Sequence, residues 1–569
     1  MTTNSQKLLD FLEIYWTDVY KTGHKFMLPP GSWTMYSNMT PRSGKLANFP
    51  NSKGVISAGQ QKTVRQMKWD WDANFFNRPV EEIYQFGKDM TEMLMLSEPY
   101  DVSHLIALHS LGYLPLRIKA IPEGMFVPYK VPLYTAVNTH PTGKAGFIFD
   151  WLVNYLETIW SAESWQTPTS ATTAYEYRKL GLEYAKETDP ENLWFVDYQF
   201  HDFSMRGMGG KSSIINSGLG FAMCSRGSDT LPVIPAARKY YDEPGMPINS
   251  VLATEHAIMC TLTGFFLKKN DGSWENIGKL EVETFRYLLK RFPSGILSLV
   301  SDTWNLWRVI LDYCRQLREE ILARDGKLVI RPDSGDPVDI ICGLQYETSM
   351  WSAYHNNKLY FDGKACWRVT DTGYDEVKGD YTGYKVTDMV SDNIGEIKGV
   401  IECLYEIFGG TMSATGYKKL DSHIGAIYGD SITLDRAKRI FIRLKAKGFA
   451  STNIVLGVGS YSLQYVTRDT HGFAQKATYV EINFVDEHGN AHLECIDIFK
   501  DPETDKEKTK KSARGLIYVG QNEDGSLFIE DQVSWAKEAT GILQVIFEDG
   551  EFYNQTTLTE IRKRIGLVS

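Results

Sequence analysis

Short apolar runs alternating with stretches of helical periodicity organise the middle of the chain. Ile296 to Val300, Leu328 to Ile330, Ile424 to Tyr428 and Ile454 to Leu456 are each followed by polar residues or glycine, and Leu193 to Gln199 reads as another run of the set. Such runs predict strands buried on both faces, and strands separated by helical segments predict parallel β/α units. Phe147 to Trp165 carries Phe149, Trp151, Leu152, Tyr155, Leu156, Ile159 and Trp160 at helical spacing and predicts an apolar helix closed by Pro168; Ser170 to Lys186 predicts a second.

The flanks read differently. Lys7 to Tyr20 and Val80 to Leu96 have helical spacing, Trp33 to Asn38 looks extended, and Leu114 to Pro128 alternates as a strand with turns. Towards the end, Thr478 to Val485, Ala491 to Phe499, Gly515 to Val519, Ser526 to Ile529 and Leu543 to Phe547 are strand-like, and Thr557 to Ile565 predicts a last helix. The expected class is α/β: an irregular β/α barrel over 151–470, joined to a mixed β-rich domain built from 1–150 and 471–569. An insertion at about 344–421 holds a hairpin, Leu359 to Thr370, around Asp362-Gly363.

In a parallel β/α fold, the residues after each strand collect at one mouth. Here they are His201, Asp202, Phe203 and Arg206; Ser301 and Asp302; Arg331 and Asp333; Gly429 and Asp430; Gly457 and Gly459. Carboxylates suit ribose hydroxyls or Mg²⁺, and glycines let backbone amides approach phosphate, so the set fits a phosphorylated sugar. Arg331 and Asp333 alone read equally well as an ion pair closing a turn. Val455 to Ser460 contains Gly-Val-Gly, but Ser462 stands at the third glycine position and no acidic strand end follows about twenty residues on, which argues against a dinucleotide fingerprint.

Composition narrows the partners. Of 569 residues, 43% are hydrophobic and 23% charged, which suits a folded protein of two or three domains, and the net charge of −10 gives no general attraction to nucleic acid or an anionic membrane. Any anion site must therefore be built locally. Cys224, Cys260, Cys314, Cys342, Cys366, Cys403 and Cys495 are an odd number without metal-type spacing, so reduced thiols are expected. No signal peptide or spanning segment is read, and a cytoplasmic location is expected.

Several ordered blocks carry a resemblance: Thr17 to Lys21, His201-Asp202-Phe203 with Arg206, Gly227 to Thr230, Ser250 to His256, Ser301-Asp302, Ile330 to Gly335, Gly429-Asp430, Thr467 to Asp469 and Phe499 to Pro502. From about Asp18 to beyond Lys508 the chain resembles the nicotinamide phosphoribosyltransferases. The resemblance implies a type II phosphoribosyltransferase-like barrel, a homodimer with shared sites, and transfer of phosphoribosyl from phosphoribosyl diphosphate to nicotinamide. Carried over, Phe203 and the partner subunit's Tyr20 would stack on the pyridine, with Asp18 and Arg206 nearby. Asp229 would accept from the carboxamide beside Arg331; in isolation Asp229 also reads as a turn residue. Asp333 and Asp430 would hold ribose hydroxyls near Ser298 and Gly429. Gly459, Ser460 and Arg468 of the partner subunit would take the 5′-phosphate.

Arg42, Lys476, Lys500 and Lys508 would meet the diphosphate, with Mg²⁺ on its oxygens and Asp302 a possible ligand; Lys506, Lys508, Lys510 and Lys511 also read as a solvated charge run. His256 would be phosphorylated by ATP as co-substrate, with Glu255 or Asp302 fixing its tautomer. Tyr461 departs from the glycine expected in the phosphate loop. Two readings compete: the same reaction on nicotinate, and a non-catalytic binding or signalling protein on the same scaffold.

Overall fold

The computed structural model describes residues 11–28, 32–140, 149–269, 273, 275, 277–375, 380–381, 383–429, 431–504 and 511–567. Its centre is a parallel sheet of six strands, in the order Phe200–Asp202, Ile454–Val458, Ile424–Tyr428, Asp325–Arg331, Ser294–Val300 and Leu252–Ala253. Parallel bridges Asp202–Ser228 and Gly227–Asn249 run from the first strand towards Leu252 at the opposite edge, so the sheet curls into the irregular barrel expected from its alternating pattern. Leu297, Leu299, Leu328, Ile330, Ala426 and Leu456 are buried in its core. Apolar side chains on both faces of these strands are what make the runs continuous in sequence.

A second, antiparallel sheet joins the two ends of the chain. Its order is Ala491–Asp497, Ala474–Val485, Ser32–Thr40, Tyr134–Asn138, Leu116–Ala120, Gln544–Glu548 and Glu551–Phe552. One core gathers Trp33, Tyr36, Leu116, Ile118 and Phe547 from this sheet with Trp151, Leu152 and Trp160, while the barrel residues form another. Residues 149–160 thus pack with the sheet.

Three local expectations change. Leu193 to Gln199 forms helical turns, Pro190–Phe195 and Val196–Gln199, and the strand begins at Phe200. An apolar run of that length fits either state, and the Arg178–Asp197 ion pair at 3.0 Å together with Gln199 Nε2 donating to Ser451 O at 2.7 Å favours the turns. Pro168 lies in the first turn of the helix Gln166–Thr188 instead of ending one, at a position where its missing N–H breaks no helical bond; the stretch before it is split into Asp150–Tyr155 and Glu157–Ser164. The described part of Lys7 to Tyr20 forms 3₁₀ turns, Glu13–Tyr15 and Val19–Phe26. Tertiary bonds pin it: Thr17 Oγ1 donates to Tyr155 O at 2.7 Å and Tyr155 Oη donates to Ile14 O.

The insertion forms its own small sheet of Tyr346–Glu347, Leu359–Phe361, Cys366–Asp371 and Tyr384–Ser391. Its expected hairpin is present: Leu359–Phe361 pairs antiparallel with Cys366–Asp371, and Asp362 Oδ1 accepts from the amides of Lys364 and Ala365, both at 2.8 Å.

Candidate active site

The barrel mouth is built by backbone extensions of the strands. Strand alternation puts His201 and Phe203 on one side of their run, and their rings pack with centroids 4.5 Å apart. Asp202 points the other way and is fully buried, accepting from Ser204 N at 2.9 Å, Ser204 Oγ at 2.7 Å and Thr230 Oγ1 at 2.7 Å. These bonds lock the turn that presents Phe203. Across the barrel, the Arg331 guanidinium lies 5.1 Å from the centroid of the Phe203 ring, a cation–π contact that joins two strand ends.

Asp229 sits beside this pair. Its Oδ1 accepts from His201 Nε2 at 2.9 Å and from Ser250 Oγ. Burial pushes the Asp229 carboxyl up, but the His201 and Ser250 hydrogen bonds and the charges of His201 and Arg331 outweigh it, so the group is held below the usual carboxylate range. Asp229 is therefore an anion at neutral pH with one oxygen, Oδ2, left for a donor.

On the next two strand ends, Asp302 Oδ2 accepts from Asp333 N at 2.9 Å and Ser334 Oγ at 2.6 Å, which fixes the Asp333 turn. His256 Nε2 stands 3.3 Å from Asp302 Oδ1 without hydrogen-bond alignment. Glu255 is exposed and its carbonyl accepts from the Ile258 and Met259 amides, so Asp302 is the carboxylate that faces the imidazole. Four buried polar atoms here have no hydrogen-bond partner among the described residues: Ser298 Oγ, Asp302 Oδ1, Thr303 Oγ1 and Arg331 Nε. Orphans of both signs at the mouth are groups a polar ligand would satisfy, since each costs about 1–3 kcal/mol when buried unpaired. Gly429 is required by this packing: a Cβ there would strike the Asp333 carboxylate and come within 3.0 Å of Arg331 Nε.

Gly459 precedes the short helix Ser460–Leu463, whose Ser460 side chain fills the space that a Cβ on Gly207 would need, so the turn after Arg206 packs directly on the Gly459-Ser460 turn. Tyr461 points away: it is exposed and stacks on Tyr465 with centroids 5.5 Å apart, so the departure from glycine does not obstruct this turn. Arg206 is exposed in the 3₁₀ turn Met205–Gly207.

The other candidates gather elsewhere, on the antiparallel sheet and its helices. Glu157 draws Lys21 at 3.0 Å and Lys476 at 3.4 Å, and Asp18 accepts from Thr158 Oγ1 at 2.7 Å beside the exposed Tyr20. Arg42 Nε donates to Gly472 O at 2.8 Å, near the exposed Arg468. The loop after Arg42 reaches the barrel through Asn48, which donates to Ser462 O at 3.1 Å. Lys500 is exposed, its amide donating to Ser512 Oγ at 2.9 Å. Asp430 and Lys508 lie outside the described residues. One chain thus brings together His256, Ser298, Asp302, Phe203, Asp229, Arg331, Asp333 and Gly429, and holds Asp18, Tyr20 and Lys476 in a separate cluster.

The sequence places His201 at the mouth and Ser250 in an ordered block, but it does not reveal either as a donor on Asp229. The usable signal was the i, i+2 spacing of His201 and Phe203 on a strand end; nothing local tied either donor to Asp229.

Residues 198–539 match the model of the nicotinate phosphoribosyltransferase (NAPRTase) family. A protein of Acinetobacter baylyi named nicotinamide phosphoribosyltransferase is 39% identical over 96% of each chain. One of the same name from Mycoplasma pneumoniae is 30% identical, covering 88% of this chain and 93% of its own. The crystal structure of human nicotinic acid phosphoribosyltransferase shares the fold, with a TM-score of 0.50 at 12% identity over 97% of this chain and 93% of that one. The chain belongs to the nicotinate phosphoribosyltransferase family and is a pentosyltransferase of NAD salvage.

Proposed function

We propose that the enzyme is a nicotinamide phosphoribosyltransferase, converting nicotinamide and phosphoribosyl diphosphate to nicotinamide mononucleotide and diphosphate. The observation that carries this reading is Asp229, an anion braced by His201 and Ser250 beside the Phe203 ring. Its free oxygen accepts the carboxamide N–H of nicotinamide and repels the carboxylate of nicotinate. The names of the relatives from Acinetobacter baylyi and Mycoplasma pneumoniae, both nicotinamide phosphoribosyltransferase, support it.

The pyridine nitrogen attacks C1′ of the ribose as the bond to diphosphate breaks, and charge grows on the departing oxygens. Positioning and electrostatics dominate such a step. Asp333, with its amide anchored by Asp302, holds the ribose hydroxyls; Arg331 rests on Phe203 and orients the ring and its amide. The Gly459 and Ser460 amides meet the 5′-phosphate. Asp302 Oδ1, buried and without a hydrogen bond among the described residues although His256 Nε2 stands 3.3 Å away, is an oxygen donor that fits Mg²⁺, which would otherwise be held by the diphosphate; the ion would supply charge neutralisation for the leaving group.

A proton on His256 Nε2 facing Asp302 leaves the Nδ1 lone pair to attack the γ-phosphorus of ATP, with ADP departing and water later cleaving the phosphohistidine. We also read the enzyme as a homodimer in the cytoplasm. The Tyr20, Asp18 and Lys476 cluster lies apart from the barrel mouth, and the mouth is flanked by exposed Leu252, Ile258 and Phe265, an apolar face that a second copy would cover while delivering its Tyr20 and Arg468.

The test is to supply nicotinamide and nicotinate separately with phosphoribosyl diphosphate and to measure diphosphate release. Preference for nicotinamide supports the assignment, preference for nicotinate supports the reading in the family's own name, and no turnover of either by the folded protein would overturn both.

A further inference from the structure

A cavity of about 370 Å³ lies between the helix Gln60–Trp71, the turn at Glu13–Trp16, and the helical segments around Trp160 and Ser212. Its charged lining is unbalanced: Glu13, Asp70 and Glu163 face it, against the single amine of Lys62. Lys62 is already engaged, 2.8 Å from Glu163. Half-buried Asp70 takes the neutral Gln66 amide, at 2.7 Å from Oδ1 and 2.6 Å from Oδ2, and feels the charges of Lys62 and Lys239 without an ion pair to either among the described residues. Glu13 is 8% exposed, and its Oε2 has only a 3.5 Å contact from Asn74. Oε1 of this buried carboxylate has no hydrogen-bond donor among the described residues. Aromatic walls complete the cavity, with Trp71, Trp160 and Tyr240 buried and Trp16 exposed at the rim.

A carboxylate held largely out of water without an ion-pair partner, as Glu13 is, is costly, and aromatic walls favour an apolar body, so the two halves of this lining suit a guest that carries both a positive charge and an apolar part. We propose that this cavity is a second binding site that takes a small organic cation, an ammonium on an apolar body, with Glu13 and Asp70 as its counter-charges and Trp16 and Trp160 against its apolar part. The volume falls within the range of small-molecule sites. Nothing in this reading depends on the substrate chosen at the barrel.

Binding should vary with pH. Burial first, then the charge of Asp70 and to a smaller degree that of Glu163, raises the Glu13 carboxyl to about 7. Lys62 faces the same space, while Lys239 stands outside it, over Trp69 and Tyr240. A guest cation needs Glu13 ionised, so affinity should rise about tenfold from pH 6 to pH 8.

The experiment titrates the full chain with 2-phenylethylamine by calorimetry and tryptophan fluorescence at pH 8, with 2-phenylethanol as the neutral isostere. Expected are one saturable site per chain, at least tenfold weaker binding of the alcohol, and at least tenfold weaker binding of the amine to Glu13→Gln. Trp16→Ala, at the exposed rim, should weaken the amine without disturbing the core, and both variants should keep phosphoribosyl transfer as a check of folding. No saturable binding of the amine, equal binding of amine and alcohol, or affinity unchanged in both variants would overturn the proposal; the last outcome would put the probe at the barrel instead.

Discussion

Asp229→Asn isolates the charge on which substrate choice rests. The substitution keeps the shape and one acceptor oxygen, so the His201 bond can persist while the negative charge is lost. For nicotinamide, a charge-assisted hydrogen bond is replaced by a neutral one or by a clash of amide donors, and losing such a bond costs about 1.5–3 kcal/mol, or roughly a 10- to 150-fold drop in kcat/KM. For nicotinate, the change removes repulsion between two carboxylates. At about 4 Å and an effective dielectric of 20 that repulsion would be about 4 kcal/mol, but the Asp229 side chain is 43% exposed and has His201 and Arg331 beside it, so a relief of about 1 kcal/mol is the better expectation. Discrimination should therefore narrow by roughly a hundredfold, mostly through slower use of nicotinamide. The assay is steady-state product formation with each base in turn at saturating phosphoribosyl diphosphate, alongside thermal unfolding to check the fold. An unchanged ratio of the two kcat/KM values in a folded variant would refute the role given to Asp229.

Further outcomes can be checked independently. His256→Ala should keep nicotinamide binding but lose ATP hydrolysis and the ATP-stimulated rate; stimulation persisting in the variant would remove the phosphohistidine. Gly429→Ala should lower kcat/KM for phosphoribosyl diphosphate by at least about tenfold, because the added Cβ displaces Asp333 and Arg331, with little change in melting temperature. Leu328→Ala, at a fully buried barrel position, should cost about 2–5 kcal/mol in denaturant unfolding. Glu281 lies buried in the barrel layer, accepts from Tyr313 Oη at 3.0 Å, and burial lifts its carboxyl from 4.5 to about 7. The folded state then binds the proton more tightly than the unfolded one, so stability falls as pH rises from about 4.5 through about 7, by up to about 3 kcal/mol; Glu281→Gln should flatten that slope in unfolding curves taken across the range.

Local pattern was sufficient where a segment's burial is uniform along its length. Ile424–Tyr428 is a strand with every residue buried, and its apolar run shows this directly. The insertion's hairpin was equally legible, because Asp362 and Gly363 carry the turn chemistry in their own side chain and backbone freedom. Leu193 to Gln199 was not, since an apolar run cannot by itself distinguish a strand from buried helical turns. The barrel mouth was legible as a set of residue types at strand ends, and ordered blocks identified the family.

What the sequence could determine by itself was which residues are polar at the ends of which runs, because period and chain order are local properties. The tertiary structure alone decided their partnerships. Barrel closure brings His201 and Ser250 onto Asp229, Arg331 over Phe203, and Asp302 between His256 and the Asp333 turn, across separations of 21 to 128 residues that no spacing rule encodes. The electrostatic state follows from that closure: folding brings the His201 and Ser250 donors and the Arg331 charge to the Asp229 carboxylate, and these hold it ionised against the opposing effect of partial burial.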